Sequence, residues 1–252
     1  MQGLQNDSIL VKLLTWNIQA GIGTGQYRDY LLRAHRQVVH TQAKTANLHA
    51  IADVMSDYDV VCLQEVDLGG RRAGYQCQAT DLAGLSGLDH FAVQENRTIR
   101  GLSRHGNAIF SRWPLRNEHD IKLPGRLRGR GCLIATLDRD DAITVACLHL
   151  SLGLADQSRQ LDCVASHLKP ARRWVAMGDF NCRAHSAPMA AFCETSGGHV
   201  THPTTATYPS WKPSRDYDHI VAGQRVALSH YTARPVVRSD HLPVEATLDQ
   251  AH

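Results

Sequence analysis

The sequence predicts an α/β fold in which two packed, mixed β-sheets are flanked by helices. Three observations carry that expectation. Apolar runs of strand length alternate with helix-period stripes along the whole chain. The first such unit reads strand, helix, strand, the βαβ pattern. Two later apolar runs are joined by a turn rich in Asp and Arg, which reads as an antiparallel hairpin. Parallel and antiparallel strands interleaved with helices fit two sheets with helices outside them.

Residues 9–17 (ILVKLLTWN) read as a buried strand, and residues 59–64 (DVVCLQ), rich in β-branched side chains, as a second. Between them Leu48, Ile51, Ala52 and Met55 fall at i, i+3, i+4, i+7 and predict an amphipathic helix. Strands follow at 106–111 (GNAIFS), 132–137 (CLIATL) and 143–150 (ITVACLHL). Leu161, Val164, Ala165 and Leu168 form a second helical stripe, followed by a short strand at 173–178 (RWVAMG). The last strands are expected near 217–222, 226–232 and 243–248. Two segments exceed a minimal fold: an insertion at 21–41 (GIGTGQYRDYLLRAHRQVVHT) and a basic, glycine-rich loop at 122–131 (KLPGRLRGRG). Both are candidates for substrate contact, because functional residues concentrate on such loops.

The 252 residues are 43% hydrophobic and 20% charged, an ordinary globular balance, and one domain spanning 1–252 is expected. A net charge of +3 is too small to imply a nucleic-acid partner by itself. Seven cysteines without a C-x-x-C pair argue against zinc ribbons and redox motifs and for buried thiols. The N-terminus lacks the plan of a signal peptide, and no run of 18 apolar residues exists. A soluble, cytoplasmic monomer is the expectation.

Polar residues gather at the ends of the apolar runs: Asn17, Glu65, His149, Asp179 with Asn181, Asp218 with His219, and Asp240 with His241. Ligands of open α/β sheets sit at strand carboxyl ends, so these side chains are expected to converge on one site. Glu65, Asp179, Asp218 and Asp240 are hard oxygen donors suited to Mg²⁺ or Mn²⁺. Histidines beside such a site stabilise charge on phosphoryl oxygens or move protons. No cysteine is in the set, so neither a thiolate nucleophile nor a soft-metal site is suggested.

In order, LLTWNIQ (13–19), LQEVD (63–67), GNAIFSR (106–112), HLSLG (149–153), GDFNC (178–182), DYDHIV (216–221) and SDHLPVEA (239–246) resemble the endonuclease/exonuclease/phosphatase superfamily. The resemblance implies a four-layer α/β sandwich and a metal-dependent phosphoester hydrolase. By it Asn17, Glu65 and Asp240 would hold the metal. Asp179 would activate the attacking water, and Asn181 would orient Asp179 or the phosphate. Asp218 would set the tautomer and charge of His241, which stabilises the transition state, and His149 would contact a phosphate oxygen or assist the leaving group. Deoxyribonuclease-like members pair that histidine with a glutamate, and the candidate here is Glu95. His105 and Asn107 would be phosphate contacts or their supports.

The substrate stays open among three classes. A nuclease would use Arg28, Arg33, Arg36, Lys122, Arg126, Arg128 and Arg130 along a phosphate backbone. An enzyme for a small or lipid-linked phosphate would use the insertion, with Tyr27, Tyr30, Leu31, Leu32, Val38 and Val39 at a lipid interface. It would also use the loop TYPSWKPSRDYDHI, where Trp211, Lys212 and Arg215 precede Asp218. A non-catalytic binding protein on the same fold is the third class, and the complete set of carboxylates and histidines disfavours it.

Overall fold

The computed structural model describes residues 10–29, 38–126, 128–201 and 204–249. Strands β1 (Val11–Asn17) and β2 (Val60–Asp67) pair in parallel, with Asn17 opposite Gln64. Helix α1 (Gln42–Met55) lies between them in sequence, and its Thr41 cap accepts the Lys44 N–H at 3.3 Å. The predicted stripe of Leu48, Ile51, Ala52 and Met55 is its buried face. The chain continues through α2 (Gln78–Ser86), β3 (His90–Ile99), β4 (Ser103–Ser111), β5 (Leu115–Lys122), β6 (Gly131–Leu137) and β7 (Thr144–His149). Helix α3 (Leu154–Leu168), β8 (Trp174–Asp179), α4 (Ala187–Ser196), β9 (Gly198–Val200), β10 (Asp218–Gly223), β11 (Leu228–Ala233) and β12 (Val244–Leu248) complete it.

Two six-stranded mixed sheets result, ordered β11-β12-β1-β2-β4-β3 and β5-β6-β7-β8-β10-β9. Their inner faces share one core, in which Leu13, Val60 and Cys62 meet Val145, Cys147 and Met177. The period-2 alternation of the central strands sends their other set outward, under helices. Leu14, Trp16, Val61 and Phe110 pack beneath α1 and α2, while Leu148, Ala176 and Phe180 pack with α3 and α4. Helix, sheet, sheet, helix is the four-layer sandwich expected. All seven cysteines are free thiols, four of them buried. Among the described residues no helix is long and apolar enough to cross a membrane.

Five elements gave no usable sequence signal. Strand β5 (LRNEHDIK) is an exposed edge whose side chains do not alternate, and α4 (APMAAFCETS) is too uniformly apolar to show a stripe. The outer half of β3, α2 and the three-residue β9 are short or polar. Residues 30–37, central to the proposed lipid contact and carrying Arg33 and Arg36, lie outside the described residues.

Candidate active site

Strand carboxyl ends supply only part of the site; Asp218 and His241, which stand at or ahead of the start of their apolar runs in the sequence, supply the rest. The parallel pairs β1–β2 and β7–β8 contribute their C-terminal ends, with Asn17, His149 and Asp179. Strands β4, β6, β10 and β12 run antiparallel to these, so they contribute what stands at or before their N-terminal ends. Asp218 is therefore the first residue of β10, directly opposite Asp179, and His241 precedes β12.

Asn17 joins the two sheets: its Nδ2 donates to Asp179 Oδ2 at 3.1 Å. Asp179 Oδ1 accepts the backbone N–H of Asn181 at 2.9 Å. The Asn181 side chain does not reach Asp179; it donates to the Leu150 carbonyl at 2.9 Å and ties the end of β7 to the turn after β8. Asn181 sits at φ 51°, a left-handed conformation that Asn tolerates better than most residues. The glycine before Asp179 has its own reason. A Cβ at Gly178 would lie 2.0 Å from the Leu148 carbonyl oxygen. Gly178→Ala is expected to push β8 off β7, displace Asp179 and lower turnover by roughly 10²-fold, since about 1 Å of misplacement suffices for that. Steady-state kinetics on the folded variant check it.

Glu65 is not the end of β2 but an interior residue at a β-bulge. The β2–β4 register shifts between Leu63 and Val66, and Glu65 adopts φ 59°. Strict alternation would send Glu65 to the helix side after Leu63; the bulge instead aims it at Asn17, whose Nδ2 lies 3.5 Å away. Burial first, and the charge of Asp240 second, push the Glu65 carboxyl above its ordinary range. Two carboxylates crowded together are what a hard divalent ion would neutralise. Asn17, Glu65 and Asp240 thus fit Mg²⁺ or Mn²⁺ as a donor set. Asp179, Asp218 and His241 also have ligand atoms within 4.8 Å of one another. In that group, however, the His241 ring is engaged as a donor.

His241 Nδ1 donates to Asp218 Oδ2 at 2.8 Å, and Thr207 Oγ1 donates to the same oxygen at 2.5 Å. Burial alone would lower the His241 pKa. The charges of Asp218 and Asp179 outweigh it and hold the ring well above its ordinary value, as an imidazolium. Its Nε2 lies 3.9 Å from Asp179 Oδ2. Residues of the first motif hold this segment: Trp16 Nε1 donates to the His241 carbonyl at 2.9 Å, and Ser239 Oγ donates to the Asn17 carbonyl at 2.6 Å. The Tyr208 ring packs on His241 at 4.8 Å between centroids.

His149 Nε2 lies 3.4 Å from Asp179 Oδ2 and contacts Arg130 Nη1. A guanidinium only donates, so His149 Nε2 is an acceptor there. Burial, then Arg130, hold this histidine well below its ordinary pKa, in the neutral form. Glu95 is not its acidic partner. It pairs with Arg104 at 2.5 Å, out on β3. Beside His149 opens a cleft of about 320 Å³ lined by Glu65, His105, Asn107 and Arg130 among others. Asn107 is buried and donates to Gln94 and to the Gly131 carbonyl, so it supports the cleft wall. Trp211 and Lys212 are not among the cleft's lining residues. Trp211 packs edge-on against Tyr27 at 6.2 Å, and the Lys212 side chain is exposed.

The sequence profile of the Endonuclease/Exonuclease/phosphatase family matches residues 14–241. The chain belongs to the endonuclease/exonuclease/phosphatase family. Members of this family are hydrolases of phosphoester bonds. Solved structures share the fold. A family protein from Beutenbergia cavernae DSM 12333 superposes with TM-score 0.73 at 22% identity, covering 96% of this chain and 72% of that one. The mannosyl-6-phosphatase Bt3783 of Bacteroides thetaiotaomicron VPI-5482 gives 0.70 at 15% identity, over 95% and 100%. Sphingomyelinase C from Streptomyces griseocarneus gives 0.65 at 17%, over 95% and 99%. Among curated proteins, none matches the sequence significantly.

For this endonuclease/exonuclease/phosphatase chain, reading motifs missed the residues that support the site. Asp67, inside LQEVD, is fully buried; it accepts N–H bonds from Gly69 and Gly70 and pairs with buried Arg72. Arg72 in turn donates to His105 Nδ1 at 3.1 Å. The aspartate stood in a quoted motif, but nothing local marks Arg72 as its partner.

Proposed function

We propose that the protein is a divalent-metal-dependent hydrolase of phosphoester bonds in which Asp179 takes the proton of the attacking water. One observation carries this reading: a buried carboxylate lies 3.9 Å from an imidazolium, with Asn17 and His149 also against it. Burial first, and the charge of Asp218 among its neighbours, raise the Asp179 carboxyl to about 7, in the range that suits a general base near neutrality. Asn17 and the Asn181 N–H fix its orientation. His241, kept charged by Asp218, stabilises the negative charge that builds on the phosphoryl oxygens. His149 accepts from Arg130 and so aims that guanidinium at the same oxygens, a positioning role rather than a proton transfer. Asn17, Glu65 and Asp240 would hold Mg²⁺ or Mn²⁺. The ion would supply Lewis-acid stabilisation of phosphoryl charge.

The folds shared with a mannosyl-6-phosphatase and a sphingomyelinase C support phosphoester hydrolysis without choosing the substrate. A non-catalytic role is disfavoured because the carboxylates and both histidines converge within contact distances. The test is hydrolysis of bis(4-nitrophenyl) phosphate, 4-nitrophenyl phosphate and supercoiled plasmid with Mg²⁺ or Mn²⁺. Turnover of at least one is expected. Folded protein inert toward all three with both metals overturns the reading, and nicking of the plasmid assigns a nuclease.

A further inference from the structure

The cleft beside His149 is more basic than the reaction requires. Arg97, Arg126, Arg128 and Arg130 line it, against Glu65 as its one acid. The chemistry above uses only Arg130. Arg97 and Arg128 form no ion pair with a carboxylate among the described residues, whereas Arg104, Arg112 and Arg116 each have one. Unpaired like charges gathered in a concavity repel one another and raise the local concentration of anions.

The backbone that carries these arginines is held in place. On one side of the loop between β5 and β6, Asp156 Oδ2 accepts the Arg126 N–H at 3.1 Å and Gln160 donates to the Pro124 carbonyl at 2.9 Å. On the other side Gly129, at φ 95°, lies flat on the stem of Arg97. A Cβ there would come within 2.8 Å of Arg97 Cβ. The loop and β3 therefore meet across the cleft with their guanidinium groups on the same opening. His105 also lines it. Because Arg72 can only donate to its Nδ1, the His105 ring carries its proton on Nε2. The buried Asp67–Arg72 pair thus fixes His105 as a neutral N–H donor. Burial, then Arg72, lower its pKa to about 4, consistent with that state.

We propose that this cleft includes a second anion subsite, so that the substrate carries a further anionic group next to the scissile phosphoester, held by Arg97, Arg128 and the Nε2–H of His105. The proposal rests on the phosphoesterase reading for the scissile group and names its substrate class. At about 320 Å³ the cleft lies at the small end of ligand sites, which run from about 300 to 1,000 Å³. A compact ligand such as the bisphosphate of a sugar or nucleoside fits that size better than a nucleic-acid strand.

Calorimetric titration of the whole protein in MgCl₂ tests it, with fructose 1,6-bisphosphate and fructose 6-phosphate as probes. The bisphosphate is expected to bind about tenfold or more tightly, as charge-assisted bonds to a second phosphate imply. Arg97→Gln with Arg128→Gln should bring that ratio close to one. Arg116→Gln, which removes an equal charge from an outlying ion pair, should leave the ratio intact. His105→Gln keeps a side-chain N–H and should preserve much of the preference, while His105→Phe should not. Equal affinities in the wild type, or a ratio unmoved by the double Arg97 and Arg128 variant, overturn the proposal. So does a short single-stranded oligonucleotide that binds more tightly than the bisphosphate. Binding needs no turnover, so a protein that hydrolyses nothing yet keeps the ratio supports the subsite and overturns the phosphoesterase reading instead.

Discussion

Asp179→Asn is expected to lower hydrolysis by roughly 10²–10⁴-fold, the range for loss of a general base, while leaving the fold intact. The substitution keeps shape and volume. Its retained oxygen can still accept the Asn181 N–H that Asp179 Oδ1 accepts at 2.9 Å. It removes the carboxylate that would take the proton. It also removes one of the three carboxylates that hold His241 protonated, so stabilisation of the phosphoryl oxygens weakens as well. Stability should change little, because relief from ionising a buried carboxyl is set against the lost bond from Asn17 Nδ2 to Oδ2. Turnover measured beside a thermal melt checks both halves. A folded Asp179→Asn protein that keeps wild-type turnover removes Asp179 from the mechanism.

Chelation of divalent metal should silence hydrolysis, and Mg²⁺ or Mn²⁺ should restore it. A second readout does not depend on activity. Glu65 and Asp179 both have folded-state pKa values above their ordinary 4.5 and 3.8. A folded chain that holds protons the unfolded chain has released loses stability as pH rises. His241, raised above 6.5, acts in the same direction: its contribution is full below 6.5 and is lost as pH rises through the raised value. His105, His149 and His219 are depressed below 6.5 and act oppositely, but only as pH falls beneath that value. In EDTA, melting temperature is therefore expected to fall as pH rises above 6.5. Mg²⁺ should oppose the fall by neutralising the carboxylates, with about 2.7 kcal/mol of stabilisation at a hundred times its Kd. Glu65→Gln should raise stability in EDTA and blunt the response to Mg²⁺. A melting temperature that rises between pH 6.5 and 8 in EDTA would contradict a protonated His241, and one indifferent to Mg²⁺ would sink the assignment of Glu65 as a ligand.

Much of this was legible in the chain. The alternation of strand and helix periods determined two sheets with helices outside, because each period records which face is buried. The ordered motifs determined the family and named Asn17, Glu65, His149, Asp179, Asp218 and His241, which the fold brings together. Some motif residues have purely local causes: Gly178 is required by the Leu148 carbonyl that no Cβ could approach, and Ser239 by the Asn17 carbonyl its hydroxyl reaches.

Other features only the tertiary structure decided. Which strand start meets which strand end depends on their pairing, so only the sheet sets Asp218, at the start of β10, opposite Asp179 at the end of β8. The bulge that turns Glu65 into the site is a shift of register against β4, and a single strand's pattern cannot record a register. Glu95 followed its cross-hairpin neighbour Arg104 and not the distant His149. Arg72 meets His105 across 33 positions of sequence, and Arg97 meets the 124–130 loop only because Gly129 lets the two backbones close. Periodicity and motifs state what each residue must be buried against or tolerate locally. Which charges face each other is fixed by the pairing of strands far apart in the chain, and that information exists only once the sheets have formed.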